Sequence, residues 1–141
     1  MTIATVDAAG KPWISPVFFV HDQLFTLYWV SFTEALHSEN IRSRPQVAIS
    51  ILGRPPDHEG DGVYIEAEAV ELDNVDEVER AIQVLHTRQQ ESKFMVNSPA
   101  DVLGDAGWRI YRATPKEAYK RSDASEIVRG QHITVKVKVT L

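Results

Sequence analysis

Short runs of apolar, β-branched or alternating residues occupy most of this chain, which is the pattern of β-strands that bury one face. The clearest run is 133–141, where Ile, Val and Leu alternate with Thr and Lys. Comparable runs predict strands at 2–7, 13–20, 24–31, 46–52, 62–72 and 108–114, and a turn at Pro115 leads to a short strand at 118–121. Because the early connections are short, we expect antiparallel pairing.

A first helix is predicted between the third and fourth strands. Leu36 and Ile41 face one side, and the Thr33 hydroxyl is a suitable N-cap. Pro45 ends this helix, because the residue before a proline avoids the α region.

A second, amphipathic helix is predicted over 75–90, where apolar residues recur at helical spacing. A serine followed by a proline at 98–99 begins a third, short helix. The polar stretches 53–62 and 123–131 are predicted loops. These elements favour a mainly β protein, a small antiparallel barrel of six to seven strands with two or three helices.

Composition narrows the class of protein. A length of 141 residues predicts one domain, 1–141. The net charge is −5 and no basic run occurs, so nucleic acid is not an expected partner. The absence of cysteine excludes thiolate chemistry, and no apolar run reaches the roughly 20 residues that cross a membrane. The first residues lack a signal-peptide pattern, so we expect a cytoplasmic protein.

Candidate chemistry concentrates where the third strand runs into the first helix. Ser31, Thr33, His37 and Ser38 lie together there. Unpaired amides at a helix start attract anions, and hydroxyls beside them suit a phosphate. Standard hydrolase, P-loop and zinc-protease motifs are absent, and the histidines lack metal-ligand spacing. A phosphate-bearing cofactor is therefore favoured, with no metal and no assigned catalytic residue.

The chain resembles the pyridoxamine 5′-phosphate oxidase-like, FMN-binding split-barrel proteins. The resemblance covers about two-thirds of the chain, and it rests on five segments in order: ATVDAAGKPWISPVFFV, LYWVS, ALHSENIRSRPQVAISI, GVYIEAEAVEL and RIYRATPKEAY. It implies a split β-barrel that forms a homodimer, with an FMN cleft at the subunit interface. Six aromatic residues crowd two adjacent strands, and those on the outer face would suit such an interface: Trp13, Phe18, Phe19, Phe25, Tyr28 and Trp29.

The resemblance also implies the cofactor contacts. The isoalloxazine ring would lie near Ser15, Pro16, Val17, Phe18 and Val30. The phosphate contacts that it implies are Ser31, Ala35, Leu36 and His37, with Ser38 nearby.

The chain departs from the oxidases of this family at the same positions. The oxidases carry an arginine where Ser15 stands, and Ser-Arg-Lys where this chain has Ala35, Leu36 and His37. The carboxyl-terminal arginine and tryptophan that bind substrate in those oxidases have no match. We therefore expect weaker FMN binding and a reaction other than pyridoxamine phosphate oxidation.

Three functions remain open from the sequence. The first is an oxidoreductase that uses FMN, or a deazaflavin in its place, on an unidentified small molecule. The second is a non-catalytic carrier or sensor of flavin or heme on the same barrel. The third is a dimer whose cofactor site is lost, with no cofactor bound.

Overall fold

The eight strands form one antiparallel sheet in the order β2-β1-β5-β6-β7-β4-β3, with β8 paired to β7. A computed structural model describes residues 1–53, 62–87, 96–128 and 131–140. The strands are β1 (Thr2–Val6), β2 (Pro12–Pro16), β3 (Val20–His21), β4 (Leu27–Phe32), β5 (Gln46–Leu52), β6 (Gly62–Glu71), β7 (Trp108–Val128) and β8 (Gln131–Val139). The helices are α1 (Leu36–Ser43) and α2 (Val75–His86), followed by a 3₁₀ turn, Pro99–Asp101.

The predicted fold class is confirmed: the protein is mainly β, and the curled antiparallel sheet is a split barrel with two helices and one 3₁₀ turn. The described residues form eight strands, against the six to seven expected for the barrel: the predicted strands 108–114 and 118–121 join in β7, and the predicted strand 13–20 divides. Its first part pairs with β1 as β2, and its last residue, Val20, begins β3 and pairs with β4.

Two apolar cores lie on opposite faces of the central strands. The inner core is enclosed by the curl of the sheet and includes Trp29, stacked on Tyr111 with ring centroids 5.5 Å apart. The outer core lies between the sheet and α2, and includes Val20, Leu72 and Ile110. Because side chains alternate along a strand, consecutive residues of β4 enter different cores.

The long strand β7 corrects the prediction for the last third of the chain. A turn at Pro115 and a loop over 123–131 were expected, but the described backbone runs as one strand from Trp108 to Val128. A register shift opposite Glu66 and Ala67 accommodates Pro115, which has no N–H to donate to the ladder. The later part of β7 is paired with β8, which supplies the backbone partners that a loop would lack.

The helix ends differ from prediction mainly at α1. Ala35, rather than Thr33, is the N-cap, and no side chain caps the helix. The Thr33 hydroxyl donates to the Gly107 carbonyl instead. The predicted end before Pro45 is confirmed. Asn74 caps α2 by accepting from two amides, whereas the expected end at residue 90 and most of the loop at 53–62 lie outside the described residues.

Glu71, the last residue of β6, ties α1 to β7. Its carboxylate accepts from Arg42 at 3.0 Å and from the Tyr111 hydroxyl at 2.8 Å, and it lies 3.5 Å from the Arg109 guanidinium. Burial is the main cause that raises the pKa of Tyr111 to about 12, so its hydroxyl remains a hydrogen-bond donor at neutral pH.

Glu71→Ala is expected to lower the free energy of unfolding by about 2 kcal/mol, because it leaves the Tyr111 hydroxyl without its acceptor and removes a shared ion-pair partner. Chemical denaturation measures the change. Glu68→Ala is the matched control, since its ion pair with Lys116 is exposed and should contribute less than about 0.5 kcal/mol. Equal losses in the two variants would contradict a special role for Glu71.

Candidate functional site

A buried imidazole bridges two hydroxyls at the corner where β2, β4 and α1 meet. The His37 Nδ1 lies 3.1 Å from the Ser15 Oγ, and the His37 Nε2 lies 2.8 Å from the Ser31 Oγ. His37 is 7% exposed and Ser31 is 9% exposed, so the bond between them is shielded from water, whereas the bond to Ser15 is only partly buried. We call these three residues the Ser15–His37–Ser31 cluster.

Three elements position the cluster. Ser15 pairs with Ile3 of β1, so its side chain shares a face with the inner core. Ser31 lies two residues after Trp29 on β4, and the period of a strand puts both on that face. His37 is the second residue of α1. This helix begins at Leu36, shortly after β4 ends at Phe32, and the imidazole therefore lies between β2 and β4.

Trp13 adds a fourth member that the sequence prediction missed. Its indole Nε1 donates to the Ser15 Oγ at 3.0 Å. The two residues are two apart on β2 and therefore share a face, which was the available signal. Because an indole N–H only donates, it fixes one acceptor role of the Ser15 hydroxyl.

The cluster is electrically neutral at physiological pH. Burial lowers the pKa of His37 below the ordinary value of 6.5. Neutral imidazole donates from one ring nitrogen and accepts at the other. Among the described residues, no cation bonds to the cluster, and the arginines of α1 are engaged elsewhere: Arg42 with Glu71 and Thr33, and Arg44, its C-cap, with the Ala8 carbonyl. The array can thus donate and accept hydrogen bonds without carrying charge.

The depressed pKa of His37 predicts a pH dependence of stability. Above pH 6.5 its contribution is complete; as the pH falls toward the folded-state pKa, the unfolded chain takes up a proton that the folded chain does not, and stability is lost. Chemical denaturation at about pH 7 and about pH 5 should show a smaller loss for His37→Gln than for the wild type. An unchanged loss in His37→Gln would contradict the assignment.

The remaining predicted contacts lie at different distances from the cluster. Pro16 and Phe18 are exposed beside it on the β2 side, and Val17 packs partly on the inner core. Ser38 is fully buried, and its hydroxyl donates to the Phe32 carbonyl at 2.7 Å, so it serves the chain itself. The Val30 side chain packs against the outer core, on the opposite face of β4 from Ser31. The structure therefore brings Ser15, Ser31 and His37 together but not Val30 or Ser38.

Exposed apolar side chains surround this corner. Phe32, 53% exposed, stacks on Trp108, and Leu36, 49% exposed, begins α1. Trp13 and Phe18 are exposed on the β2 side. Of the six aromatic residues that crowd the two predicted strands, Trp29 is buried in the inner core, whereas Trp13, Phe18 and Phe25 are exposed. This corner thus combines apolar surface with a neutral polar cluster.

Among the described residues, no group of three or more His, Cys, Asp or Glu side chains is placed to hold a metal ion. No described helix is both long and apolar enough to cross a membrane.

A family model described as pyridoxamine 5′-phosphate oxidase matches residues 1–122. No curated protein matches the chain.

Solved structures share the fold at low sequence identity. A heme binding protein from Mycobacterium smegmatis has a TM-score of 0.68 and 16% identity, with 97% of this chain and 51% of that chain covered. The heme storage protein from Vibrio cholerae has a TM-score of 0.61 and 20% identity, with 82% and 80% covered. An FAD-binding protein from Mesorhizobium loti has a TM-score of 0.61 and 15% identity, with 83% and 80% covered. The chain thus spans about half the length of the first of these proteins.

Proposed function

Because the chain belongs to the pyridoxamine 5′-phosphate oxidase family, we propose that it is a flavin-dependent oxidoreductase that binds FMN and acts on a small molecule. The observation that carries the proposal is the Ser15–His37–Ser31 cluster. It joins the second strand, the end of β4 and the start of α1, which are the three elements from which the family resemblance expects cofactor contacts.

The residues at the corner fit the two parts of FMN to different degrees. Exposed Pro16, Phe18 and Trp13 offer apolar surface for a planar ring. The Ser31 hydroxyl, held by His37, and the first amides of α1 offer hydrogen-bond donors to a phosphate ester, but no cation. The phosphate would thus be held by hydrogen bonds alone, which favours a modest affinity.

Chain and cofactor would divide the work. Bound FMN supplies the hydride or electron transfer, so the protein needs no catalytic triad. Ser15 carries a hydroxyl that its neighbours orient from two sides, since Trp13 donates to it and His37 bonds to it. We assign Ser15 the role of a hydrogen-bond partner for the polar edge of the isoalloxazine ring.

The proposed reaction is not oxidation of pyridoxamine phosphate. Ser15 stands where the oxidases carry an arginine, and neutral His37 replaces one of their phosphate cations.

A homodimer is part of the proposal, with the cofactor cleft between subunits. Exposed apolar side chains near the cluster support it, because burying them between copies would shield a planar ring from water. Phe18, Phe32 and Leu36 belong to this surface, each about half exposed or more.

A spectrum of the purified protein, with mass analysis of any released cofactor, tests the proposal. Flavin absorption that a nicotinamide donor bleaches supports the oxidoreductase. A colourless protein that binds no added FMN at about 100 µM, where binding worth about −5 kcal/mol would be visible, refutes it.

A carrier of flavin or heme is the second candidate, and one observation favours it. Burial keeps His37 neutral, which is the form of imidazole that ligates iron once one ring nitrogen leaves its serine partner. Two structural neighbours are described as a heme binding and a heme storage protein. Hemin titration tests for a heme carrier, which a Soret band that His37→Ala abolishes would support. Flavin absorption that no donor bleaches would support a flavin carrier.

A further inference from the structure

A cavity lies between the β3–β4 hairpin and α2, on the face of the sheet opposite the Ser15–His37–Ser31 cluster. Its volume is about 560 Å³, within the range of small-molecule sites. Tyr28 of β4 lines it, and Tyr28 faces away from the inner core that holds Trp29 and Ser31. The cavity is therefore separate from the Ser15–His37–Ser31 cluster.

Two guanidinium groups give this cavity its chemistry. Arg80 of α2 forms no hydrogen bond or ion pair with the described residues. Arg112 of β7 donates to Glu77 at 2.7 Å through Nη1 alone, which leaves its Nη2 without a described partner. Guanidinium donors with spare N–H groups that line one cavity are suited to a carboxylate.

The opposite wall is a hairpin held rigid by Asp22. Its Oδ1 accepts from the amides of Leu24 and Thr26, each at 2.9 Å. Phe25 adopts a φ of 58°, a conformation rare for a bulky side chain, and its ring stacks on His21. The Asp22 Oδ2 remains directed toward the Tyr28 hydroxyl, at 3.4 Å. This wall offers acceptors to a ligand, in contrast to the donors across the cavity.

An apolar floor lies beneath the two polar walls, which approach each other at Tyr28, since the charges of both Asp22 and Arg112 act on its hydroxyl. Leu72 and Val84 line the cavity, and Leu72 also belongs to the outer core. A ligand that fits both walls and the floor carries a carboxylate at one end, a hydrogen-bond donor near it, and an apolar body.

We propose that this cavity binds a small hydroxy acid or amino acid. The carboxylate lies on Arg80 and Arg112, and the hydroxyl or ammonium group donates to Asp22. The Asp22 and Glu77 carboxylates disfavour ligands of higher negative charge, such as phosphate esters.

Mandelate is a suitable probe, because it joins a carboxylate and a hydroxyl to an apolar ring. Titration followed by amide NMR should give saturable shifts at the hairpin and at Arg80. Mandelamide, which lacks the charge, should bind at least about tenfold more weakly, and phenylacetate, which lacks the hydroxyl, should bind several-fold more weakly.

Arg80→Gln should weaken mandelate about tenfold, since it removes a charge-assisted hydrogen bond. Arg80 is exposed on α2, so the fold should persist, and circular dichroism checks it. Lys11→Gln, at an exposed turn between β1 and β2, is the charge-matched control and should leave affinity unchanged. Equal affinity for mandelamide, equal affinity for inorganic phosphate, or no saturation at about 10 mM would overturn the proposal.

Discussion

Replacing Ser31 and His37 together by alanine is expected to weaken FMN binding about 30-fold, because the hydrogen bond from the Ser31 hydroxyl to a charged phosphate contributes about 2 kcal/mol and His37 holds that hydroxyl in place. Riboflavin lacks the phosphate, so its affinity should change less than about threefold. Fluorescence quenching of each flavin measures both affinities in the same variant.

Ser43→Ala is the matched control, since Ser43 lies on the same helix and its hydroxyl donates only to the Asn40 carbonyl. The losses of binding free energy in the Ser31→Ala and His37→Ala single variants should not sum to the loss in the double variant, because Ser31 and His37 are hydrogen-bonded to each other. Equal losses of affinity for FMN and riboflavin would contradict the placement of the phosphate at this corner.

Trp29→Ala is expected to lower the free energy of unfolding by about 4 kcal/mol, and the melting temperature by about 10 °C. Trp29 is fully buried in the inner core, and its loss leaves a large cavity against Tyr111. Calorimetry measures the change, and Leu24→Ala, at 82% exposure, should alter stability by less than about 0.5 kcal/mol.

Trp29→Phe separates the ring's packing from its polar atom. The indole Nε1 is buried and has no hydrogen-bond partner among the described residues. Removing that unsatisfied donor offsets part of the lost packing, so this variant should cost less than about 1.5 kcal/mol. A cost as large as that of Trp29→Ala would show that the N–H is satisfied in solution.

The sequence predicted the polar corner because its residues are close along the chain. Ser31 and His37 are six residues apart, so a strand that runs into a helix has to place them near each other. Ser15 came from the family resemblance, since a contact across 22 residues has no local pattern. Trp13 was missed because a tryptophan on a strand usually indicates packing.

Other errors have physical causes that sequence patterns do not contain. Pro115 predicted a turn, but the register shift against β6 lets the strand continue through it. Thr33 predicted a cap, but its hydroxyl bonds to Gly107, a residue distant along the chain. Contacts between distant parts of the chain decided both cases.

The alternation along β4 has a consequence for how the family can vary. Tyr28 faces the acid-binding cavity that we propose, whereas Trp29 and Ser31 face the barrel interior. Insertion or deletion of one residue in β4 would exchange these faces and damage both compartments at once. Evolution can therefore substitute residues in this strand more readily than it can change its length, and descendants should differ in chain length at the β3–β4 turn rather than within 27–32.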